Sequence, residues 1–127
     1  MAKIFLDANV FIDIIEERKN INLDQFGNDD LFISPLSVHI LTYLYKYKIP
    51  HKKLSDSIEK YLTLIPLNNL IAYQALLGPT TDFEDNVQLY SAAEAECDFF
   101  LTEDKKLLNM KFFGKVQIKP SLSSVRQ

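Results

Sequence analysis

The fold is decided by residues 4–13, whose sequence is IFLDANVFID. The apolar start predicts a short buried strand over residues 3–6, and Asp7 follows this strand directly. Asn9 can cap the segment that comes next. That segment carries apolar residues at helical spacing, namely Val10, Phe11, Ile14 and Ile15. The stretch therefore predicts a strand, a turn that carries a carboxylate, and a helix.

The rest of the chain repeats this alternation of strands and helices. Further strands are predicted over residues 31–33, 65–67, 98–101 and 116–118. Helices are predicted over residues 36–48, 69–77 and 82–96, with one more whose apolar positions are Leu54, Ile58, Tyr61, Leu62 and Ile65. Residues 120–127 are predicted to form a tail. Such alternation is typical of the α/β class, here a three-layer α/β/α sandwich with a central, mostly parallel sheet.

Length and composition indicate one globular domain over residues 1–127. The chain is 47% hydrophobic and 24% charged, with only three glycines, which excludes extensive disorder. The N-terminus lacks the long apolar region of a signal peptide, and no apolar run is long enough to cross a membrane. Cys97 is the only cysteine and is predicted to be a small buried hydrophobe. We therefore expect a cytoplasmic protein without disulfides and without membrane association.

Acidic residues recur at the junctions between strands and helices. Asp7 and Asp104 come just after predicted strands, and Asp85 lies in the first turn of a helix. Ligands gather outside the C-terminal ends of parallel strands, so these carboxylates can converge there. Asp98 begins its strand and belongs to the opposite edge. A cluster of like charges favours a hard cation such as Mg²⁺ or Mn²⁺, which can assist hydrolysis of a phosphodiester.

Each acid also has a purely structural interpretation as part of a helix N-terminus. Asp7 and Asn9 suit the start of a helix. Thr81 with Glu84 three residues later fits a capping box. Thr102 can cap a turn whose dipole favours the two acids that follow it. Three clusters at suitable junctions favour a joint site over three independent caps.

Three motifs resemble those of the PIN-domain family, particularly the small VapC-like ribonuclease toxins of type II toxin–antitoxin pairs. They are IFLDANVFID at residues 4–13, DFEDNV at residues 82–87 and FLTED at residues 100–104. The resemblance implies a parallel sheet flanked by helices and Mg²⁺- or Mn²⁺-dependent cleavage of RNA. It also implies that Asp7, Asp85 and Asp104 are catalytic and bind metal, that Asn9 orients Asp7 or the substrate, and that an antitoxin protein is a partner.

The chain departs from that family pattern on the helix after the second strand, where the family usually has a glutamate. Residues 33–42, ISPLSVHILT, contain no acid, and Ile40 or His39 occupies the approximate position. Glu84 could compensate as a metal ligand, and His39 could contact metal or phosphate. Alternatively, His39 is a hydrogen-bonded core histidine. The departure leaves open a catalytically weak or inactive PIN-like module that binds nucleic acid or protein.

The basic residues form two groups, and the first is a candidate for binding RNA. The first is residues 43–53, YLYKYKIPHKK, in which Lys46 and Lys48 could neutralise phosphates while tyrosines stack on unpaired bases. Its alternative is a solvated helix end with core tyrosines. The second group is more dispersed and comprises Lys105, Lys106, Lys111, Lys115 and Lys119.

Two further expectations concern assembly and competing folds. The helix over residues 36–48 is apolar on more than one face, so we expect a homodimer. A phosphotransfer receiver or an aspartyl phosphatase also uses an aspartate after a strand. The phosphatase pattern requires a second acid where this chain has Asn9, and a receiver requires its aspartate near the middle of the chain.

Overall fold

The computed structural model describes residues 1–126, and the bounds of their elements follow. The strands are β1 (Lys3–Leu6), β2 (Asp30–Ile33), β3 (Leu62–Leu64), β4 (Phe99–Leu101), β5 (Phe112–Phe113) and β6 (Val116–Lys119). The α-helices are α1 (Ala8–Ile15), α2 (Pro35–Leu44), α3 (Lys52–Tyr61), α4 (Asn69–Leu77), α5 (Phe83–Glu94), α6 (Lys105–Met110) and α7 (Leu122–Val125). A 3₁₀ helix spans Leu23–Phe26.

The strands form a six-stranded sheet in the order β3-β2-β1-β4-β6-β5. All neighbouring pairs are parallel except β5 with β6. Strand β1 lies in the middle, paired with β2 on one side and β4 on the other, and its register sets Leu6 beside Leu101. The residues that follow these two strands therefore emerge together at one edge of the sheet. The predicted fold class is confirmed.

Helices cover both faces of the sheet, which gives the predicted three layers. Side chains alternate along β1, so Ile4 and Leu6 pack on one face and Phe5 on the other. The first face is covered by α1, α2 and α3 through residues such as Phe11 and Leu41. The second face is covered mainly by α5 and α6, and α4 packs against α5 from outside.

Two predicted element boundaries, the end of α2 and the position of β3, are wrong. Helix α2 ends at Leu44 instead of residue 48, and Lys46 takes a left-handed φ of 52° just beyond it. The third strand is Leu62–Leu64, whereas the sequence predicts residues 65–67. Leu62 pairs with Leu31 and is buried, so its apolar side chain serves the sheet rather than the end of a helix.

The C-terminal region holds two elements that the sequence does not predict. Strand β5 forms a hairpin with β6, and its turn uses Gly114 at a φ of 60°. Residues 122–125 form the short helix α7, so the predicted tail is wrong for that part. Gln127 lies outside the described residues.

Cys97 is buried, as predicted, and burial raises the pKa of its thiol to about 12. No helix within residues 1–126 is long and apolar enough to cross a membrane.

Candidate active site

Asp7 is held at the C-terminal end of β1 with almost no freedom to turn. Its backbone N–H continues the sheet by donating to Leu101 O at 2.9 Å. Its side chain is buried, with 5% of the residue exposed. One carboxylate oxygen accepts from the Ala8 N–H at 2.8 Å, and the other accepts from the Thr102 hydroxyl at 2.7 Å. The carboxylate is therefore fixed in position before any ligand arrives.

Thr102 joins this first acid to another. Its fully buried hydroxyl donates to Asp7 and accepts the backbone N–H of Asp104 at 3.0 Å. Asp104 then caps α6, accepting from the backbone N–H groups of Lys106 at 2.8 Å and Leu107 at 3.4 Å. The loop after β4 thus carries its acid to the same edge of the sheet as β1.

The third acidic segment is the start of α5. Asp82 caps this helix by accepting the Asp85 N–H at 3.0 Å, and Glu84 is exposed beside it. Asn86 is buried and fixes the loop before the helix. Its amide NH₂ donates to Ala75 O at 2.8 Å, and its oxygen accepts from the Thr80 N–H at 2.9 Å.

The negative charges of these three segments act on one another. Burial raises the pKa of Asp85 to about 7, and the negative charges of Asp82, Asp7, Asp104 and Glu84 raise it further in that order. The pKa of Asp7 is also raised, mainly by burial and also by Asp104 and Glu84, against the lowering effect of its hydrogen bonds. Carboxylates from β1, α5 and the loop after β4 therefore repel one another across one shared region.

The donor chemistry of this region suits a hard divalent cation, because the side chains of Asp7, Asp85 and Asp104 offer carboxylate oxygens. Within residues 1–126, no three His, Cys, Asp or Glu side chains are placed closely enough to hold a metal ion together. Mg²⁺ keeps several of its waters when it binds proteins, so a wider spacing is compatible with it. The residues fit a partly hydrated ion rather than a preformed protein cage.

The helix caps differ from those that the sequence predicts. Helix α1 is capped by Asp7 rather than Asn9, because the helix begins immediately after the strand. Helix α5 is capped by Asp82 rather than Thr81, and α6 by Asp104 rather than Thr102. In each case the acid itself accepts the free N–H groups of the first turn. The same aspartate can therefore cap a helix and belong to the acidic cluster.

The remaining predicted site residues are placed less closely. Asn9 is exposed in the first turn of α1, two residues after Asp7. His39 is exposed and stacks on Tyr43 with ring centroids 6.0 Å apart, so the alternative of a core histidine is wrong. Ile40 is half-buried and packs against the core of the first face. Helix α2, which the structure describes in full, contains no acidic residue that could take the place of the family's glutamate.

Lys46 and Lys48 are not brought to the acidic edge. They follow the C-terminal end of α2, which starts at that edge and runs away from it. Their neighbour Tyr47 donates a hydrogen bond to Glu16, the residue that ends α1. Tyr45 likewise contacts Arg18 just beyond α1, with the guanidinium carbon 5.6 Å from the ring centroid, so Lys46 and Lys48 lie beside the end of α1.

Sequence reasoning missed the bridging role of Thr102 and the loop anchor Asn86. The contact between Thr102 and Asp7 could have been inferred from strand register. Leu6 pairs with Leu101, and Asp7 and Thr102 are the residues that directly follow this pair. No local signal distinguishes Asn86 from other polar helix residues.

Comparisons with known proteins agree with this fold. The family model described as PIN domain matches residues 3–106 of the chain. No curated protein matches the sequence. Among solved structures, the crystal structure of VapBC2 from Rickettsia felis bound to a DNA fragment from their promoter contains a similar chain. The TM-score is 0.62 at 16% identity, and the match covers 91% of this chain and 96% of that one. At this identity the likeness concerns the fold alone.

Proposed function

The chain belongs to the PIN-domain family, and from this membership we propose that it is a metal-dependent endoribonuclease that hydrolyses RNA phosphodiester bonds. The observation that carries the proposal is that Asp7 and Asp104 follow neighbouring strands at one edge of the sheet and are linked through the Thr102 hydroxyl, with Asp85 close enough for their charges to act on it. These acids come from three distant segments, yet the charges of Asp7 and Asp104 raise the pKa of Asp85, and the charge of Asp104 raises the pKa of Asp7. Repelling carboxylates are costly to assemble, and a divalent cation offsets that cost.

The acidic side chains at this edge have different roles in the proposed reaction. Asp7 presents a carboxylate in one orientation because Thr102 and the Ala8 N–H hold it. Asp85, whose pKa is about 7 in the metal-free protein, would give up its proton on binding a divalent ion. Asp7, Asp85 and Asp104 would hold Mg²⁺ or Mn²⁺, with Glu84 as a further ligand. A bound divalent ion supplies a more acidic water and stabilises charge on a phosphoryl oxygen.

The direct test is cleavage of labelled RNA by the purified protein. We expect cutting with Mg²⁺ or Mn²⁺, no cutting with EDTA, and a loss of at least about 100-fold in Asp7→Asn and Asp104→Asn, because each removes one carboxylate from the proposed metal site. Asp98→Asn is the matched control. Asp98 lies at the opposite edge, where its carboxylate accepts the Lys3 N–H at 2.9 Å, and an amide oxygen can accept the same bond. Cleavage that survives EDTA, or that falls equally in all three variants, would reject the proposal.

We also propose that an antitoxin protein holds this enzyme inactive in the cytoplasm. The support is the fold shared with a chain of the VapBC2 complex. Co-expression with the product of an adjacent small gene, followed by co-purification and restored growth, tests this part. Toxicity that no neighbouring gene product relieves would count against it.

A second candidate function is a binding module with little or no catalysis. It is favoured by Ile40, an apolar residue packed against the core on the helix where the family usually has a glutamate. This candidate predicts RNA binding without turnover in any divalent metal.

A further inference from the structure

The acidic edge is flanked by lysines that the proposed chemistry does not use. Lys105 and Lys106 open α6 and are exposed, and the Lys106 N–H donates to Asp104 at 2.8 Å. Lys119 ends β6, paired with Leu101, and its carbonyl accepts the Thr102 N–H at 3.1 Å. Lys105 and Lys106 therefore directly follow Asp104. Lys119 lies beside Thr102, the residue that links Asp7 to Asp104.

These three lysines stand on both sides of the acidic edge. Val116 and Ile118 pack on the face covered by α5 and α6, so the alternation along β6 turns Lys119 toward the other face. Lys105 and Lys106 begin α6, which covers the face opposite to that of Lys119. A chain of phosphates that reaches the carboxylates can therefore meet a positive charge on either side of them.

The charges of these lysines are free for a ligand. Among the ion pairs of residues 1–126 none involves Lys105, Lys106 or Lys119. Lys19, by contrast, is paired with Glu103 and Asp13. The exposed acid next to Asp104 is thus neutralised from within the protein. The flanking lysines remain available to offset the repulsion between the carboxylates and a polyanion.

One aromatic side chain extends this surface. Phe112 on β5 is 57% exposed, although its neighbour Phe113 packs edge-on against Tyr90 with ring centroids 5.0 Å apart. Lys111 is exposed directly before it. An exposed aromatic ring beside unpaired lysines is typical of surfaces that stack unpaired bases and track a sugar-phosphate backbone.

We propose that Lys105, Lys106 and Lys119 bind the phosphates on either side of the scissile bond of a single-stranded RNA, and that Phe112 stacks on one of its bases. This deepens the proposed function and rests on it for the identity of the scissile bond. The binding surface is distinct from Lys46 and Lys48, which follow the C-terminal end of α2 beside the end of α1.

The test measures binding of a fluorescently labelled single-stranded oligoribonucleotide by anisotropy, in EDTA and over a series of salt concentrations. In the triple variant Lys105→Gln, Lys106→Gln, Lys119→Gln we expect roughly 10- to 100-fold weaker binding at 0.1 M salt. The slope of log affinity against log salt should fall by about 2, since each phosphate contact on a single strand contributes about 0.7. Phe112→Ala should weaken binding about tenfold and leave the slope unchanged.

The matched control removes the same number of positive charges at the other group, as Lys46→Asn, Lys48→Gln, Lys53→Gln. Asparagine is chosen at position 46 because the φ of 52° there is left-handed. We expect this control to keep both the affinity and the salt slope of the parent. Equal losses in the two triple variants, or losses in the control alone, would overturn the assignment.

Two further outcomes separate this inference from others. If the parent protein binds RNA through these lysines but cuts none with Mg²⁺ or Mn²⁺, the proposed function fails and the binding surface stands. If it cuts RNA while the first triple variant binds as well as the parent, the binding surface fails alone. Competition by poly-glutamate as strong as that by unlabelled RNA of equal charge would overturn the nucleic-acid assignment in favour of an acidic polypeptide.

Discussion

Asp85 carries a carboxylate that the fold holds against four other acids, and this should reduce stability. At pH 8 we expect Asp85→Asn to raise the free energy of unfolding by about 1 kcal/mol, discounted for its partial exposure, because it removes a repelled charge. The same substitution should abolish RNA cleavage. Urea denaturation of the metal-free protein measures the first effect. Asp56→Asn, which removes an exposed acid paired with Lys52, is the control and should change stability little.

The pH dependence of stability follows from the same group. The pKa of Asp85 is about 7 in the folded protein and near its ordinary value of 3.8 when unfolded. Between these values the folded state binds more protons, so the free energy of unfolding should rise as pH falls from 8 towards 5. The raised pKa of Asp7 acts in the same direction. In Asp85→Asn this rise should be smaller, and an unchanged pH profile would contradict the assignment.

The acids themselves could be predicted because their positions depend on simple rules. Asp7 and Asp104 follow apolar strands, and parallel register brings the ends of such strands together. Their exact hydrogen bonds could not be predicted, because Asn9, Thr81 and Thr102 are equally good caps by residue type. The choice between neighbouring polar residues depends on where the preceding strand ends.

At the level of helices and strands, segments with a clear apolar pattern were predictable, and segments without one were not. Helix α5 and strand β1 have strong local patterns and lie close to their predicted bounds. Leu62 fits both a helical and an extended period, and only its pairing with Leu31 decides between them. The two residues of β5 and the four of α7 are too few to show any period. Their structure depends on contacts with β6.

Helix α2 offers a test that separates the two candidate functions. If the missing carboxylate limits catalysis, Ile40→Glu should raise the affinity for Mn²⁺ and the rate of RNA cleavage. Without metal the variant should be less stable than the parent by about 1–3 kcal/mol, because a charge replaces a half-buried apolar side chain. Ile40→Gln is the control, because glutamine has nearly the shape of glutamate without its charge. Thermal unfolding with and without Mn²⁺, together with cleavage assays, gives the readout.

The outcome of that substitution assigns the protein to one candidate or the other. Metal-dependent stabilisation of Ile40→Glu with increased cleavage would show that the acidic edge is an active centre weakened by one change. A variant that stays inactive and gains nothing from Mn²⁺, in a parent that also cuts no RNA, would favour the binding module.

The surface of the molecule has an apolar stripe that a single copy leaves uncovered. It lies on α4 and consists of Leu70, Tyr73, Leu76 and Leu77, all more than half exposed. The opposite side of α4, with Ile71 and Ala75, packs against α5. A helix that is apolar all round is normally buried on all sides. The expected homodimer is therefore better explained by α4 than by α2, although Tyr43 and Leu44 at the end of α2 are exposed as well.

The exposed apolar stripe on α4 predicts which substitutions dissociate the expected homodimer. Leu76→Asp with Leu77→Asp should convert the protein to a monomer without loss of folding, because both side chains are exposed in one copy and Leu77 is 90% exposed. Light scattering coupled to size-exclusion chromatography measures the mass, and circular dichroism checks the fold. Tyr43→Asp with Leu44→Asp removes a comparable apolar area from α2 and should leave the dimer intact. Dissociation by the α2 pair alone would place the interface on that helix instead, and a parent of monomeric mass would leave the α4 stripe for a different protein partner.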